Sequence, residues 1–106
     1  MATALINTSR SADGSVVVDV RGDIDLQTSS RLRDTLVDTA TRLMPTRVVV
    51  DLLHVTFIDS TGIGALATGR NAAHQLGIGF TLRHPSTFVT ERLRQTGVYD
   101  SLIGDR

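Results

Sequence analysis

The chain has no cysteine, no lysine, a single glutamate (Glu91) and only four aromatic residues, Phe57, Phe80, Phe88 and Tyr99. Without cysteine there is no disulfide and no thiolate metal centre, so the 106 residues hold together by burial and hydrogen bonding alone. Eleven arginines stand against eleven acids and leave no net charge. A partner recognised mainly through a nucleic-acid backbone or an anionic membrane surface is therefore not expected. So few aromatics also argue against a stacking platform for single-stranded nucleic acid. No apolar run approaches the roughly 20 residues that span a bilayer. The N-terminus lacks a basic segment followed by an apolar one, the mark of a secretory signal, so membrane insertion is not expected and a cytoplasmic location is. Arginine in place of lysine is best read as coding bias rather than selection for bidentate ion pairing.

What remains is a chain of ordinary globular composition, 41% hydrophobic and 21% charged, long enough for one modest core. A single domain over residues 1–106 is expected, without linker, repeat or low-complexity block. Ala4 to Thr8 and Ser15 to Arg21 read as two strands. Asp13-Gly14 between them is a turn signal that makes the pair an antiparallel hairpin. After Gly22 the period changes: Leu32, Leu36, Ala40 and Leu43 recur at helical steps, with Thr28 or Ser29 available as cap and Pro45 as stop. Arg47 to Leu53 is β-branched and nearly continuous, a third strand. A second helix over Ile63 to Leu76 buries Ile63, Leu66, Ala73 and Leu76, and Gly77 ends it. Ile78 to Arg83 reads as a fourth strand. Pro85-Ser86 opens a third helix with Val89 and Leu93 inward and Gly97 at its end, and Tyr99 to Ile103 offers a short last strand.

The order β-β-α-β-α-β-α-β predicts an α/β domain. Strands joined by single helices pair in parallel, and the opening hairpin adds one antiparallel strand to make a mixed sheet with helices packed on it. If the second and third strands are neighbours, the segments after them share one edge of the sheet, the usual place for a site in open α/β folds. Asp23, Asp25, Asp59 and Ser60 would then cluster there.

Chemistry at that edge is constrained. A serine or threonine before an apolar helix is commonly a plain cap. A hydroxyl in the exposed first turn is also well placed to take a phosphate, because unpaired N–H groups and a partial positive charge gather there. Ser60 is compatible with both roles. It is not a triad nucleophile: the elbow pattern G-x-S-x-G is absent, with Ile58 where the first glycine belongs. His54, His74 and His84 read as solvated surface residues rather than bases. Asp23 and Asp25 read as a polar turn, Asp25 accepting N–H bonds at the start of the first helix. Two or three aspartates make a thin metal site. Gly62-Ile63-Gly64 fits neither a dinucleotide fingerprint nor a phosphate loop, so no cofactor is expected. Gly62 and Gly64 each weaken the helix by roughly 0.8–1.0 kcal/mol, which signals a close approach to the backbone or tight helix-to-sheet packing.

Several of these segments together resemble STAS domains, and specifically the stand-alone bacterial anti-sigma factor antagonists. They are Arg21-Gly22-Asp23-Ile24-Asp25, Val48-Val49-Val50-Asp51-Leu52, Phe57-Ile58-Asp59-Ser60-Thr61-Gly62-Ile63-Gly64, Gly77-Ile78-Gly79, His84-Pro85-Ser86 and Arg92-Leu93-Arg94-Gln95-Thr96-Gly97. The resemblance runs from about Ala4 to Ile103, and Asp-Ser-Thr-Gly is its specific part. It implies a non-enzymatic switch in which Ser60 is phosphorylated by an anti-sigma factor with serine kinase activity. A PP2C-type phosphatase would restore the serine. It implies a partner-facing surface made of Asp23, Asp25, Asp59, Ser60, Thr61, Gly62 and Ile63. The kinase would supply ATP and Mg²⁺, and the chain itself would need no cofactor. Another implied possibility is a STAS subunit of a different assembly, such as a signalling scaffold or a lipid transporter. Thr61 stands where that family often has a second serine.

Overall fold

A computed structural model describes residues 4–97 and residue 102. Strand β1 (Leu5–Arg10) and strand β2 (Val16–Ile24) form the hairpin, and helix α1 (Leu26–Asp38) follows. A π-helical turn (Thr39–Leu43) leads to strand β3 (Arg47–Ile58), then helix α2 (Ser60–Gln75), strand β4 (Gly79–Arg83) and helix α3 (Thr87–Gln95). The sheet order is β1-β2-β3-β4, antiparallel at β1–β2 and parallel at β2–β3 and β3–β4. This is the mixed α/β sheet that the element order predicts.

Alternation along the strands sorts the two faces of the sheet. Val16, Val18 and Val20 of β2 share one face with Val48, Val50 and Leu52 of β3 and with Phe80 and Leu82 of β4, and all are buried. Leu32, Leu36, Ile63, Leu66 and Ala73 of α1 and α2 belong to the same cluster. Burying each of these larger side chains contributes about 1.5–3 kcal/mol. The two helices approach closely at Gly69, where a Cβ would meet Leu36 at 2.7 Å. Glycine is required there by packing, not by backbone conformation.

Several boundaries and two burial assignments differ from the sequence reading. Both inner strands run on, β2 to Ile24 and β3 to Ile58, because paired irregularities absorb the break in alternation. Gly22, at φ +104°, is the residue that lets β2 continue past its bulge. Helix α1 is capped by Asp25, not by Thr28 or Ser29. The Asp25 carboxylate accepts from the Gln27 N–H at 3.0 Å, and Thr28 Oγ1 accepts from the Asp25 N–H at 3.0 Å. Helix α2 begins at Ser60 instead of Ile63, capped by Asp59. Leu43 and Leu76, both expected inside, are 44% and 42% exposed. The π-helical turn rotates Leu43 off the inner stripe after Ala40. Leu76 is the C-cap of α2, and Ile78 fills the core in its place. Of the strand expected over Tyr99 to Ile103 only Leu102 is among the described residues, and it is helical and buried.

Candidate functional site

The parallel pairing of β2 with β3 brings the ends of both strands together. Ile24 stands beside Ile58 in the register, and the Asp59 N–H donates to the Ile24 carbonyl at 3.1 Å. Each strand is followed by one aspartate and then a helix. Asp25 therefore caps α1 and Asp59 caps α2 at the same edge of the sheet. Two helix N-termini converge there, each with a partial positive charge.

Asp59 ties the two together. Its Oδ1 accepts from Thr61 Oγ1 at 2.5 Å and from the Gly62 N–H at 3.1 Å. The N–H groups of Thr61 and of Leu26, the first residue of α1, also donate to it. Partial burial pushes the Asp59 carboxyl up, but these hydrogen bonds together outweigh it and hold the group below its ordinary value. It is an anion at neutral pH.

Ser60 occupies the first helical position and is exposed. Its hydroxyl is not the cap, and among the described residues nothing hydrogen-bonds it. Thr61, the next residue, is exposed but spends its hydroxyl on Asp59. Asp23 lies one residue before Ile24 and half-exposed; its Oδ1 accepts from Thr56 Oγ1 at 3.1 Å. Gly62 and Ile63 are different. Ile63 is 5% exposed and belongs to the core. A Cβ on Gly62 would stand 2.6 Å from Ile24 Cγ2, 2.8 Å from Ile58 Cγ1 and 2.9 Å from the Ile24 carbonyl oxygen. These two residues seat the helix on the sheet and present no side chain to solvent, unlike Ser60 and Thr61. The close approach that the glycines signal is internal at Gly62. At Gly64 nothing lies within 4 Å.

Gly64 lines an open groove of about 470 Å³ between α1 and α2, together with Leu26, Arg33, Thr61, Ala65 and Thr68. Leu26 is 74% exposed at its rim. The sequence held the signal for Leu26: it stands off the Leu32–Leu36–Ala40 stripe. On another side of the edge, Phe57 stacks on Phe88 with ring centroids 5.6 Å apart, and the Arg92 guanidinium lies 5.7 Å from the Phe88 ring. No group of three metal-ligating side chains occurs among the described residues.

Residues 7–104 match the family model described as Mlab, STAS domain. The chain belongs to the STAS domain family. Among solved structures this STAS domain is similar to an anti-sigma factor antagonist from Mycobacterium paratuberculosis, at 25% identity and a TM-score of 0.76, over 94% of this chain and 83% of that one. It is similar to the Bacillus cell fate determinant SpoIIAA in its phosphorylated form, at 14% identity and a TM-score of 0.69, over 93% and 88% of the two chains. It is also similar to a sulfate transporter family protein from Wolinella succinogenes, at 21% identity and a TM-score of 0.74, over 89% and 75%. At such identities the likeness to the last two establishes the STAS fold. No helix among the described residues is long and apolar enough to cross a membrane.

Proposed function

We propose that this STAS domain is an anti-sigma factor antagonist working in the cytoplasm by partner switching. Unphosphorylated, it binds an anti-sigma factor that is also a serine kinase, and so releases a sigma factor for transcription. Phosphorylation at Ser60 ends the binding, and a PP2C-type phosphatase restores it. The observation that carries the reading is the Ser60 hydroxyl: exposed, without a hydrogen bond, and set at the opening of α2 beside a capping aspartate. The similarity to an anti-sigma factor antagonist and to a phosphorylated SpoIIAA supports it.

The electrostatics of the edge favour a switch over a tolerated modification. A phosphate adds about −1.5 to −2 charges beside Asp59, Asp25 and Asp23. The N–H groups of Thr61 and Gly62, the natural cradle for an anion at the tip of α2, already serve Asp59. Phosphate and carboxylate must then share donors at one helix end, and the surplus negative charge faces any docked partner. A loss of about 4 kcal/mol at the interface lowers affinity roughly a thousandfold.

The test uses an anti-sigma factor with serine kinase activity as the partner. Ser60→Ala is expected to bind it normally and to take no phosphate. Ser60→Asp is expected to bind about tenfold more weakly or worse. Equal affinity of the two variants would remove the switch. That result would favour the second reading, a STAS subunit of a transport assembly, which the similarity to a sulfate transporter family protein supports.

A further inference from the structure

The sheet edge opposite Ser60 holds a pocket that the partner-switching reading does not use. It lies where the β1–β2 turn meets the start of β3, a depression of about 450 Å³. Val17 and Val49, register partners on the face of the sheet away from Val18 and Val50, contribute its apolar surface. Arg47, Arg83, Ser11 and Asp13 contribute its polar surface.

Two of its three charges are already engaged. Arg83 donates to Asp51 at 3.0 Å. Asp13 accepts from both the N–H and the hydroxyl of Ser15, at 3.0 and 2.7 Å, within its own turn. Arg47 has no ion pair or hydrogen bond among the described residues, although it is half-buried. Its guanidinium is laid against Gly79, where a Cβ would come within 3.0 Å of Cζ and Nη1. Glycine at 79 thus makes room for the guanidinium. A half-buried cation without a counter-charge is a costly group unless an anion joins it. The planar fork of arginine matches a carboxylate in two parallel hydrogen bonds. The pocket lining carries a net charge of +1, from Arg47 and Arg83 against Asp13.

From this geometry we propose that the pocket is a binding site for a small monocarboxylate with an apolar body, its carboxylate on Arg47 and its body against Val17 and Val49. Apolar surface with a few oriented polar groups is the usual make-up of a small-molecule site. The site is independent of Ser60 and lies beyond the opposite end of β3.

The experiment is an amide chemical-shift titration of the full chain with benzoate, with benzylamine and inorganic phosphate as comparisons. Benzoate is expected to saturate in the millimolar range, moving the amides of Ser11, Val17 and Val49. Benzylamine lacks the anion and phosphate lacks the apolar body, so both are expected to bind more weakly. Arg47→Gln is expected to weaken benzoate about tenfold, while Arg47→Lys keeps part of the affinity and Arg33→Gln, on the far groove, changes nothing. Amide spectra of each variant report its folding directly. Failure of benzoate to saturate, benzylamine binding as tightly, or indifference to Arg47→Gln would each overturn the proposal.

Discussion

At the scale of single residues, the two glycines that open α2 make opposite predictions. Gly62→Ala drives a Cβ into Ile24 and Ile58, one contact being backbone, and is expected to cost about 1–3 kcal/mol of stability. Gly64→Ala meets nothing within 4 Å and is expected to gain up to about 1 kcal/mol from helix propensity. Urea midpoints of the two variants check both. If the groove beside Gly64 receives the partner, the second variant binds less well while folding better. Asp59 carries a pH signature. Its folded pKa lies below the unfolded one, so the native state holds fewer protons through the acid range. The stability it contributes is complete above the unfolded pKa of about 3.9 and is lost as pH falls through the lower folded value. Asparagine caps a helix as well as aspartate does. Asp59→Asn is therefore expected to keep most of the stability at neutral pH and to show a flatter loss on acidification, measured by denaturation at several pH values. An unchanged slope would mean that Asp59 is not the group held down. Asp51 acts in the same sense: burial raises it, but Arg83, the Leu53 N–H and His84 outweigh that and lower it.

At the scale of elements, the seam between α1 and α2 decides whether the two helix N-termini stay aligned. A Cβ added at Gly69 would stand 2.7 Å from both the Cβ and the Cδ1 of Leu36. Gly69→Ala is expected to lose about 1–3 kcal/mol by overpacking, more than the helix gains by propensity. Thermal unfolding measures the net loss, and a rise in Tm would show that the seam yields easily. The order of the first seven elements, the parallel core and the stops of the second and third helices are legible in the sequence, because hydrophobic period and turn residues are local signals. Periodicity places the starts of the first two helices a few residues late, while Ser86 opens the third as the sequence predicts. Leu26 and Gln27 are exposed, and Ser60 to Gly62 carry no helical stripe, so periodicity missed the first turn of each helix. Asp25 and Asp59 marked those turns through capping chemistry instead. Leu43 and Leu76 misled for a related reason: apolar character identifies a candidate for burial, while a π-helical turn or a cap decides its direction.

At the scale of the whole molecule, β2 and β3 form the centre of the sheet, and the switch edge and the Arg47 pocket lie at its two ends. Hydrogen exchange is expected to be slowest for the amides of β2 and β3 and faster in β1 and α3, which lie toward the rim. Slowest exchange in α1 or α2 instead would place the stable centre in the helix layer. Asp25 and Asp59, 34 positions apart, become neighbours only because β2 and β3 pair in parallel. Element order predicts that pairing, and with it the grouping of Asp23, Asp25, Asp59 and Ser60 at one edge.

The sequence by itself determined the fold class, the hairpin, the core faces of the strands and the motif around Ser60, since each depends on residues close along the chain. Tertiary structure alone decided which motif residues meet solvent. Gly62 and Ile63 turn inward because the first turn of α2 must seat against Ile24 and Ile58. The Ser60 hydroxyl stays free because Asp59, held by donors from two helices, takes the capping role. The room for the Arg47 guanidinium likewise comes from a glycine 32 residues away, a relation that no local pattern encodes.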